Sequence, residues 1–248
     1  QKIENEILKL YPSLRVLRAD KDTTSTKHGF EEIYKKFKKH EADILIGTQM
    51  IAKGLHLPKV SLVGVVLADI GLNIPDFRTA ERNFQLLTQV AGRAGRGETG
   101  GRVIIQTYNP NNISLLCAQT HNYNKFFTYE RTQRKLLANP PFSKIAKLII
   151  ENENLEKCRK QAEKIAQTME NLKEKDSTDN YEVHSYPAYL TRLRGKYRYI
   201  VLIKQTFEEN SPAQNIYSQS LHDFLAKLPK EYIMDPNIKI DIDPISTT

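Results

Sequence analysis

The sequence has 248 residues, 40% hydrophobic and 27% charged, a composition ordinary for a globular protein of one large or two small domains. Lysine and arginine number 37 against 29 acidic residues, and the resulting +8 charge favours polyanionic partners such as nucleic acid or nucleotide phosphate. Two cysteines, Cys117 and Cys158, exclude a disulfide framework and cannot form a zinc knuckle by themselves. Both sit among helix-like apolar residues, which predicts reduced core thiols in a cytoplasmic setting. Apolar runs such as Val60–Leu67 are too short for a bilayer, and no secretory signal precedes them, so no membrane partner is expected. The chain opens on Gln1 directly into a helical pattern, which reads as the later part of something longer.

In chain order, Ile3–Leu10 reads as a helix, Arg15–Arg18 as a strand, Phe30–His40 as a helix and Asp43–Gly47 as a strand. A loop through Lys53–Pro58 leads to a β-rich run, Ser61–Leu67. Short runs apolar on both faces, separated by helices, predict an α/β domain with a parallel sheet covered on both sides. From Asp76 a long helix is expected, with Phe77, Ala80, Phe84, Leu87 and Ala91 as its buried stripe. Arg78, Arg82, Gln85, Gln89 and Arg93 form a polar line beside it. Glycine-rich 92–101 ends the helix, a strand follows at Arg102–Gln106, and a further helix over Asn122–Leu137 stops at Asn139-Pro140-Pro141. That diproline sets the expected boundary between domains 1–138 and 139–248.

Beyond it, strands are expected at Lys144–Ile150, Tyr181–Tyr186, Lys196–Lys204 and Ile238–Ile242, with helices at Leu155–Leu172 and Ile216–Leu228. The order β-α-β-β-α-β is that of the ferredoxin-like split βαβ sandwich, a small α+β domain.

The chemistry concentrates in Gln89-Val-Ala-Gly92-Arg93-Ala-Gly95-Arg96. Gln89 and Arg93 are four apart and share a helix face, while Arg96 lies past the glycine break. Two guanidinium forks beside small residues suit a transferring phosphoryl group, because arginine stays charged and binds phosphate oxygens in a plane. A glycine-rich turn with solvated arginines is the plainer alternative. Some forty residues upstream, Gly47-Thr48-Gln49-Met50-Ile51-Ala52-Lys53-Gly54 follows a strand end, where open α/β sheets bind ligands. There Thr48 and Gln49 offer hydroxyl and amide groups, and Lys53 offers charge.

Taken together, these segments and Pro75-Asp76-Phe77-Arg78-Thr79-Ala80-Glu81-Arg82 resemble motifs V and VI of the superfamily 2 helicases. Within that superfamily the chain is similar to the replication-restart helicases of the primosomal protein N′ family. Arg15-Val16-Leu17-Arg18-Ala19-Asp20, Asn139-Pro140-Pro141-Phe142, Leu193-Arg194-Gly195-Lys196-Tyr197-Arg198-Tyr199 and Asp241-Ile242-Asp243-Pro244 extend the likeness along nearly the whole chain, in order. The resemblance implies a RecA-like second motor lobe followed by a DNA-binding domain. It implies γ-phosphate contact for Arg93 and Arg96, supported by Gln89, Gly92 and Gly95. It places Thr48, Gln49, Lys53 and Gly54 in the motif that links nucleotide state to DNA, with Arg78 and Arg82 as further DNA contacts. His56 departs from the acidic residue that many members carry at that point, and it receives no role.

Absences narrow the expectation. The sequence contains no Gly-x-x-x-x-Gly-Lys-[Ser/Thr] cradle and no acidic Walker-B box after a strand. The resemblance assigns those elements, which hold most of ATP and its Mg²⁺, to an N-terminal lobe, and zinc to a cysteine-rich module of the full-length protein. No metal site is expected in this chain.

In the second domain, Arg192, Arg194, Lys196 and Arg198 interleave with Tyr189, Tyr197 and Tyr199, a pattern suited to phosphates on the charges and bases on the rings. The plainer reading makes the tyrosines half-buried core and the arginines a solvated edge. Lys125, Arg131, Arg134 and Lys135 form a weaker basic helix face. The resemblance implies a cytoplasmic, nucleoid-associated, ATP-dependent 3′-to-5′ DNA helicase that acts on branched and single-stranded DNA. Its implied partners are primosome proteins, the replicative helicase loader and single-stranded-DNA-binding protein. The alternatives are a fork-remodelling translocase of the RecG type and a non-enzymatic DNA-binding or primosome scaffold.

Overall fold

A computed structural model describes residues 1–20, 29–52, 60–92, 101–176, 180–206 and 221–248. The chain divides into two units, one of Gln1–Asp69 with Arg82–Tyr123 and one of Ile70–Glu81 with Asn124–Thr248. The sequence reading put a single cut at the diproline, whereas here the helix before it and the segment from Ile70 to Glu81 group with the second unit.

In the first unit, helix α1 (Lys2–Leu10) precedes strand β1 (Val16–Ala19), helix α2 (Gly29–Lys38), strand β2 (Ile44–Gly47) and a four-residue helix α3 (Gln49–Ala52). Strand β3 (Leu62–Val65) and helix α4 (Asp69–Leu72) follow, then helix α5 (Thr79–Ala91), strand β4 (Arg102–Ile105) and helix α6 (Ile113–Gln119). Strands β1 and β2 pair in parallel from Val16↔Ile44 to Ala19↔Gly47, and β3 and β4 pair in parallel from Leu62↔Arg102 to Val65↔Ile105. Both pairs are the parallel type that intervening helices permit.

The β1–β2 pair is locked at its start by a fork. Arg15 donates from Nη2 to Asp43 Oδ1 at 2.7 Å, from Nε to Oδ2 at 3.1 Å and from its backbone N–H to Oδ2 at 2.9 Å. These bonds hold the Asp43 carboxyl well below its ordinary 3.8, at about 2, chiefly through the side-chain bond from Arg15 and then the backbone one. At its other end the pair is closed by Gly47, where a Cβ would stand 2.6 Å from the Ala19 carbonyl oxygen and 2.8 Å from Ile51 Cγ2. Only glycine fits there without moving a backbone. Asp69 joins the far ends of β3 and β4: its Oδ1 accepts the Thr107 hydroxyl at 2.9 Å and its Oδ2 accepts the Tyr108 N–H at 3.0 Å.

The expected long helix begins at Thr79, three residues after Asp76. Asp76 Oδ1 accepts the Arg78 N–H at 2.8 Å, and the Thr79 hydroxyl donates to the Ile74 carbonyl at 2.7 Å, so a turn occupies the stretch read as the first helical turn. Phe84 and Leu87 are buried as expected, joined by Asn83 and Val90, while Ala80 and Ala91 are half-buried and Phe77 lies outside the helix.

The second unit holds helix α7 (Tyr123–Leu136, from Asn124 onward), strand β5 (Ser143–Asn152), helix α8 (Leu155–Asp176), strand β6 (Tyr181–Leu193) and strand β7 (Lys196–Thr206). A helical stretch α9 (221–226), a short helix α10 (Lys230–Ile233) and strand β8 (Ile238–Ile242) complete it. The four strands form one antiparallel sheet in the order β6-β7-β5-β8. Side chains alternate between its faces. Ala146, Leu148, Ile150, Val201 and Ile203 pack with Cys158, Ala162, Ile165 and Met169 of α8 and with Leu221, Phe224 and Leu225 of α9. The apolar spacing of α8 therefore works as expected, except that Leu155 in its first turn is exposed. Cys158 and Cys117 are both free and buried, and burial pushes the Cys158 thiol up.

On the opposite face, Ile145, Ala188, Ile200 and Leu202 form a smaller cluster, and Phe77 and Tyr186 pack against it. Around this cluster the Ile70–Glu81 segment meets the end of the chain. Asp76 Oδ2 accepts the Ser246 hydroxyl and, at 2.9 Å, the Thr247 N–H. Lys147 Nζ donates to the Ser246 carbonyl at 2.5 Å, and the Tyr186 hydroxyl donates to the Thr247 carbonyl at 3.4 Å. Asp76, Lys147 and Thr247 are all buried. Arg134 of α7 stacks over Phe77 at 5.3 Å and pairs with Glu81 at 2.7 Å and Glu130 at 2.9 Å. No described helix is long and apolar enough to cross a membrane.

The Arg15–Asp43 fork has a defined pH signature. A carboxyl whose folded pKa is depressed stabilises the fold above its unfolded value, and that contribution disappears as pH falls through the folded value. Asp43→Asn should therefore lower the urea midpoint at pH 7, and the gap from wild type should narrow below pH 3.8 and close towards about 2. A gap that stays constant over that range would mean the carboxylate's charge plays no part.

Candidate functional site

The first candidate stretch leaves the carboxyl end of β2. Thr48 and Gln49 are exposed there, directly after the glycine that closes the strand pair. Where the sequence reading expected a loop, Gln49 opens the short helix α3, with the Ile51 N–H donating to the Thr48 carbonyl at 3.1 Å. The side chains of Thr48 and Gln49 thus stand at the lip of a parallel strand pair, the edge at which such sheets bind ligands. Lys53 and Gly54, and with them His56, lie outside the described residues.

The second stretch is the end of α5. Arg82, Gln85 and Gln89 are exposed along one side of it, opposite Phe84, Leu87 and Val90. Gly92 follows the last helical residue and donates its N–H to the Thr88 carbonyl at 3.0 Å. A Cβ at Gly92 would meet that carbonyl at 3.5 Å, an ordinary contact, so the described residues do not themselves require glycine there. Arg93, Gly95 and Arg96 lie outside the described residues. Among the described residues, no hydrogen bond or ion pair joins Thr48 or Gln49 to Gln89. Arg78 sits before the helix, half-buried, with its guanidinium 5.2 Å from the Phe77 ring centre.

The third stretch is the β6–β7 hairpin. Leu193 pairs with Lys196, leaving Arg194 and Gly195 as a two-residue turn with φ of 51° and 83°. Two left-handed residues in succession make a type I′ turn, whose twist matches the flanking strands. Glycine takes that conformation freely, while arginine takes it under strain. The basic and aromatic residues of the hairpin separate into two groups. Arg192 and Arg194 are exposed, and Arg192 stacks over Tyr197 at 5.2 Å. Lys196 is half-buried and donates to Asn237 Oδ1 at 2.9 Å, and Arg198 pairs with Glu151 at 3.5 Å. Tyr197 and Tyr199 pack against the α8 side of the sheet. Tyr189 remains exposed on β6.

Residues 1–98 match the family described as helicase conserved C-terminal domain, a stretch that includes Thr48, Gln49, Gln89 and the Arg93–Arg96 motif. The chain is 41% identical over 244 residues to the replication restart protein PriA of Bacillus subtilis (strain 168), covering 98% of this chain and 29% of that protein. It is 42% identical over 205 residues to the PriA of Synechocystis, covering 82% and 24%, and 37% identical over 249 residues to that of Chlamydia pneumoniae, covering 100% and 32%. Over nearly its whole length the chain is similar to PriA proteins. It spans about a third or less of the length of these relatives. Among solved structures, the de novo designed protein Foldit4 covers 40% of this chain at 14% identity, but its TM-score of 0.25 is too low to support a fold argument.

The sequence pattern does not reveal the residues that root α5. Asp76 and Phe77 were read as part of the helix, and Arg134 as part of a basic face, yet Arg134 is held by two glutamates and an aromatic ring. The Pro75-Asp76 pair, a common turn opener, was the available signal. Nothing in the sequence announces that Ser246 and Thr247 are the partners of Asp76.

The turn geometry gives a direct test. Arg194→Asn should raise stability by about 0.5–1 kcal/mol by relieving left-handed strain, and Gly195→Val should lower it by about 1–2 kcal/mol. Urea unfolding of each variant measures both, and equal midpoints would show that the turn is not of this type.

Proposed function

We propose that this chain supplies the second RecA-like lobe, residues 1–138, and a ferredoxin-like DNA-binding domain, residues 139–248, of an ATP-dependent 3′-to-5′ DNA helicase. The enzyme acts on stalled or branched replication forks and promotes primosome assembly. The observation behind this reading is the intact sequence Gln89-x-x-Gly92-Arg93-x-Gly95-Arg96, which begins with the exposed Gln89 on α5 and falls inside the stretch that matches the helicase domain. The antiparallel order β6-β7-β5-β8, with α8 joining β5 to β6, supports the split βαβ reading of the second domain.

ATP is the substrate, and the P-loop that grips its β- and γ-phosphates with Mg²⁺ is assigned to another lobe, since this sequence has none. On this reading Arg93 and Arg96 approach the γ-phosphoryl group from the opposite side and neutralise its developing charge, with Gln89 beside them. Thr48, Gln49, Lys53 and Gly54 belong to the motif that passes nucleotide state to DNA, and Arg82 contributes a further contact. In the second domain the exposed Arg192 and Arg194 meet DNA phosphates and Tyr189 offers a ring to an unstacked base. Lys196, Arg198 and Tyr197 shape that surface from within. Primosome proteins, the helicase loader and single-stranded-DNA-binding protein are the partners, in the cytoplasm with the nucleoid.

In the intact gene product, Arg93→Ala should lower DNA-stimulated ATP turnover about a thousandfold, with DNA affinity unchanged. Arg194→Asn should instead weaken binding to a forked DNA about three- to tenfold and reduce the salt dependence of that binding by about one phosphate contact. Full turnover by Arg93→Ala would overturn the motor assignment. An unchanged salt slope for Arg194→Asn would remove the hairpin from the DNA surface.

A further inference from the structure

The β6–β7 hairpin reaches past the sheet that supports it. Strand β5 ends at the pair Asn152↔Tyr197. Lys196, one residue further out, has Leu193 of β6 beside it and, among the described residues, no strand on its other side. Along β6 the ladder is interrupted between Pro187 and Arg192, which leaves only Arg192↔Tyr197 and Leu193↔Lys196 paired beyond the break. A two-stranded ribbon this short is marginal without further support.

That support comes from side chains of α8 and of the segment before β8. Lys196 Nζ donates to Asn237 Oδ1 at 2.9 Å. Asn237 donates to Asp235 Oδ1 twice, from its backbone N–H at 2.8 Å and from Nδ2 at 3.1 Å. Asp235 Oδ2 in turn accepts from Gln161 Nε2 of α8 at 2.9 Å. The order admits one polarity. A carboxylate only accepts and an ammonium only donates, so the Asn237 amide turns its NH2 to Asp235 and its oxygen to Lys196. The Asn237 N–H and then the Gln161 amide hold the Asp235 carboxyl below its ordinary pKa, which keeps the middle of the chain charged. All four residues are half-buried. The Asn237 carbonyl also accepts the Glu151 N–H at 2.9 Å, which ties the same residue to the end of β5. Tyr197, next to Lys196, carries Arg192 over its ring at 5.2 Å. The bonded chain therefore runs from α8 to the platform beneath an exposed arginine.

We infer that Gln161, Asp235, Asn237 and Lys196 form a brace that fixes the base of the hairpin, and that Asn237 and Lys196 are positioning residues which set DNA affinity through Arg192 without touching DNA. This role rests on the phosphate contacts proposed above for Arg192 and Arg194. A hairpin held in place before DNA arrives loses less freedom on binding and binds more tightly for it. The brace and a direct contact leave different marks. A phosphate contact releases a counterion and so steepens the salt dependence, whereas a brace changes affinity alike at every salt concentration.

The test measures forked-DNA affinity of the intact gene product across a range of salt concentrations, with thermal melting alongside. Asn237→Ala and Lys196→Met should each weaken binding about fivefold, the cost of ordering one or two side chains, with the salt slope unchanged. The two substitutions together should be no worse than either alone, because both cut the same chain. Arg192→Ala should lower both affinity and slope, and adding Asn237→Ala to it should change little further. If Asn237→Ala binds like wild type, the brace is wrong, and a slope shallower by about one contact for Lys196→Met would then make Lys196 a phosphate contact. If Asn237→Ala weakens binding by the same factor with and without Arg192, and lowers the melting temperature in both, it loosens the domain as a whole and the inference fails. If Arg192→Ala and Arg194→Asn both keep wild-type affinity and slope, the hairpin does not face DNA, and the reading beneath the brace fails first.

Discussion

A buried carboxylate must find donors, and Asp76 finds them in three places: the Arg78 amide next door and the Ser246 hydroxyl and Thr247 amide at the opposite end of the sequence. Much of the second unit is arranged to keep that group satisfied. Lys147, buried on the same sheet face, is held by the Ser246 carbonyl, and burial lowers its pKa while the charges of Asp241 and Asp76 work against that change. Tyr186 closes the cluster with its bond to the Thr247 carbonyl. Removing Asp76 would leave several buried donors without a partner, a larger loss than one surface ion pair would bring.

This arrangement explains why both faces of the antiparallel sheet are covered although helices α8 and α9 supply only one of them. The second face is covered by a segment from before α5 and by the end of the chain, with Phe77 as its apolar anchor. The hairpin at the far end of β6 and β7 extends beyond this packing. Its charged residues divide by burial, with Arg192 and Arg194 left exposed and Lys196 and Arg198 engaged with Asn237 and Glu151. A left-handed arginine at the turn of such a hairpin is strained. That strain, at an exposed basic residue, is the feature a functional reading of the hairpin has to account for.

The sequence made most of the elements legible because their apolar spacing was strong. Strand β8 occupies the expected residues, and α8 continues past Leu172 through Lys173-Glu174, good helix formers with no reason to stop. Strand β6 runs to Leu193 rather than Tyr186, because its outer half is an exposed edge with a register shift between Pro187 and Arg192 and so lacks an alternating pattern. Helix α6 was hidden in a connection: it is only seven residues long, and its signal is the Asn112 cap accepting from the Ser114 N–H. The start of α5 was misplaced because Phe77 continues the helical spacing by coincidence, while its ring serves the sheet. At the candidate site the motif was plain as a string of residue types, but the root of its helix depends on contacts from residues some 170 positions away, and no local pattern encodes those.

The most direct measurement of this account is native-state hydrogen exchange at the Thr247 amide. An amide outside every helix and strand, as Thr247 is, ordinarily exchanges at nearly the rate of an unfolded peptide. The Asp76 anchor predicts instead that this amide is protected as well as those of strand β5, and that Asp76→Ala abolishes the protection. An amide that exchanges freely in the wild-type protein would show that the chain end does not grip Asp76 and that the root of α5 is not held in this way.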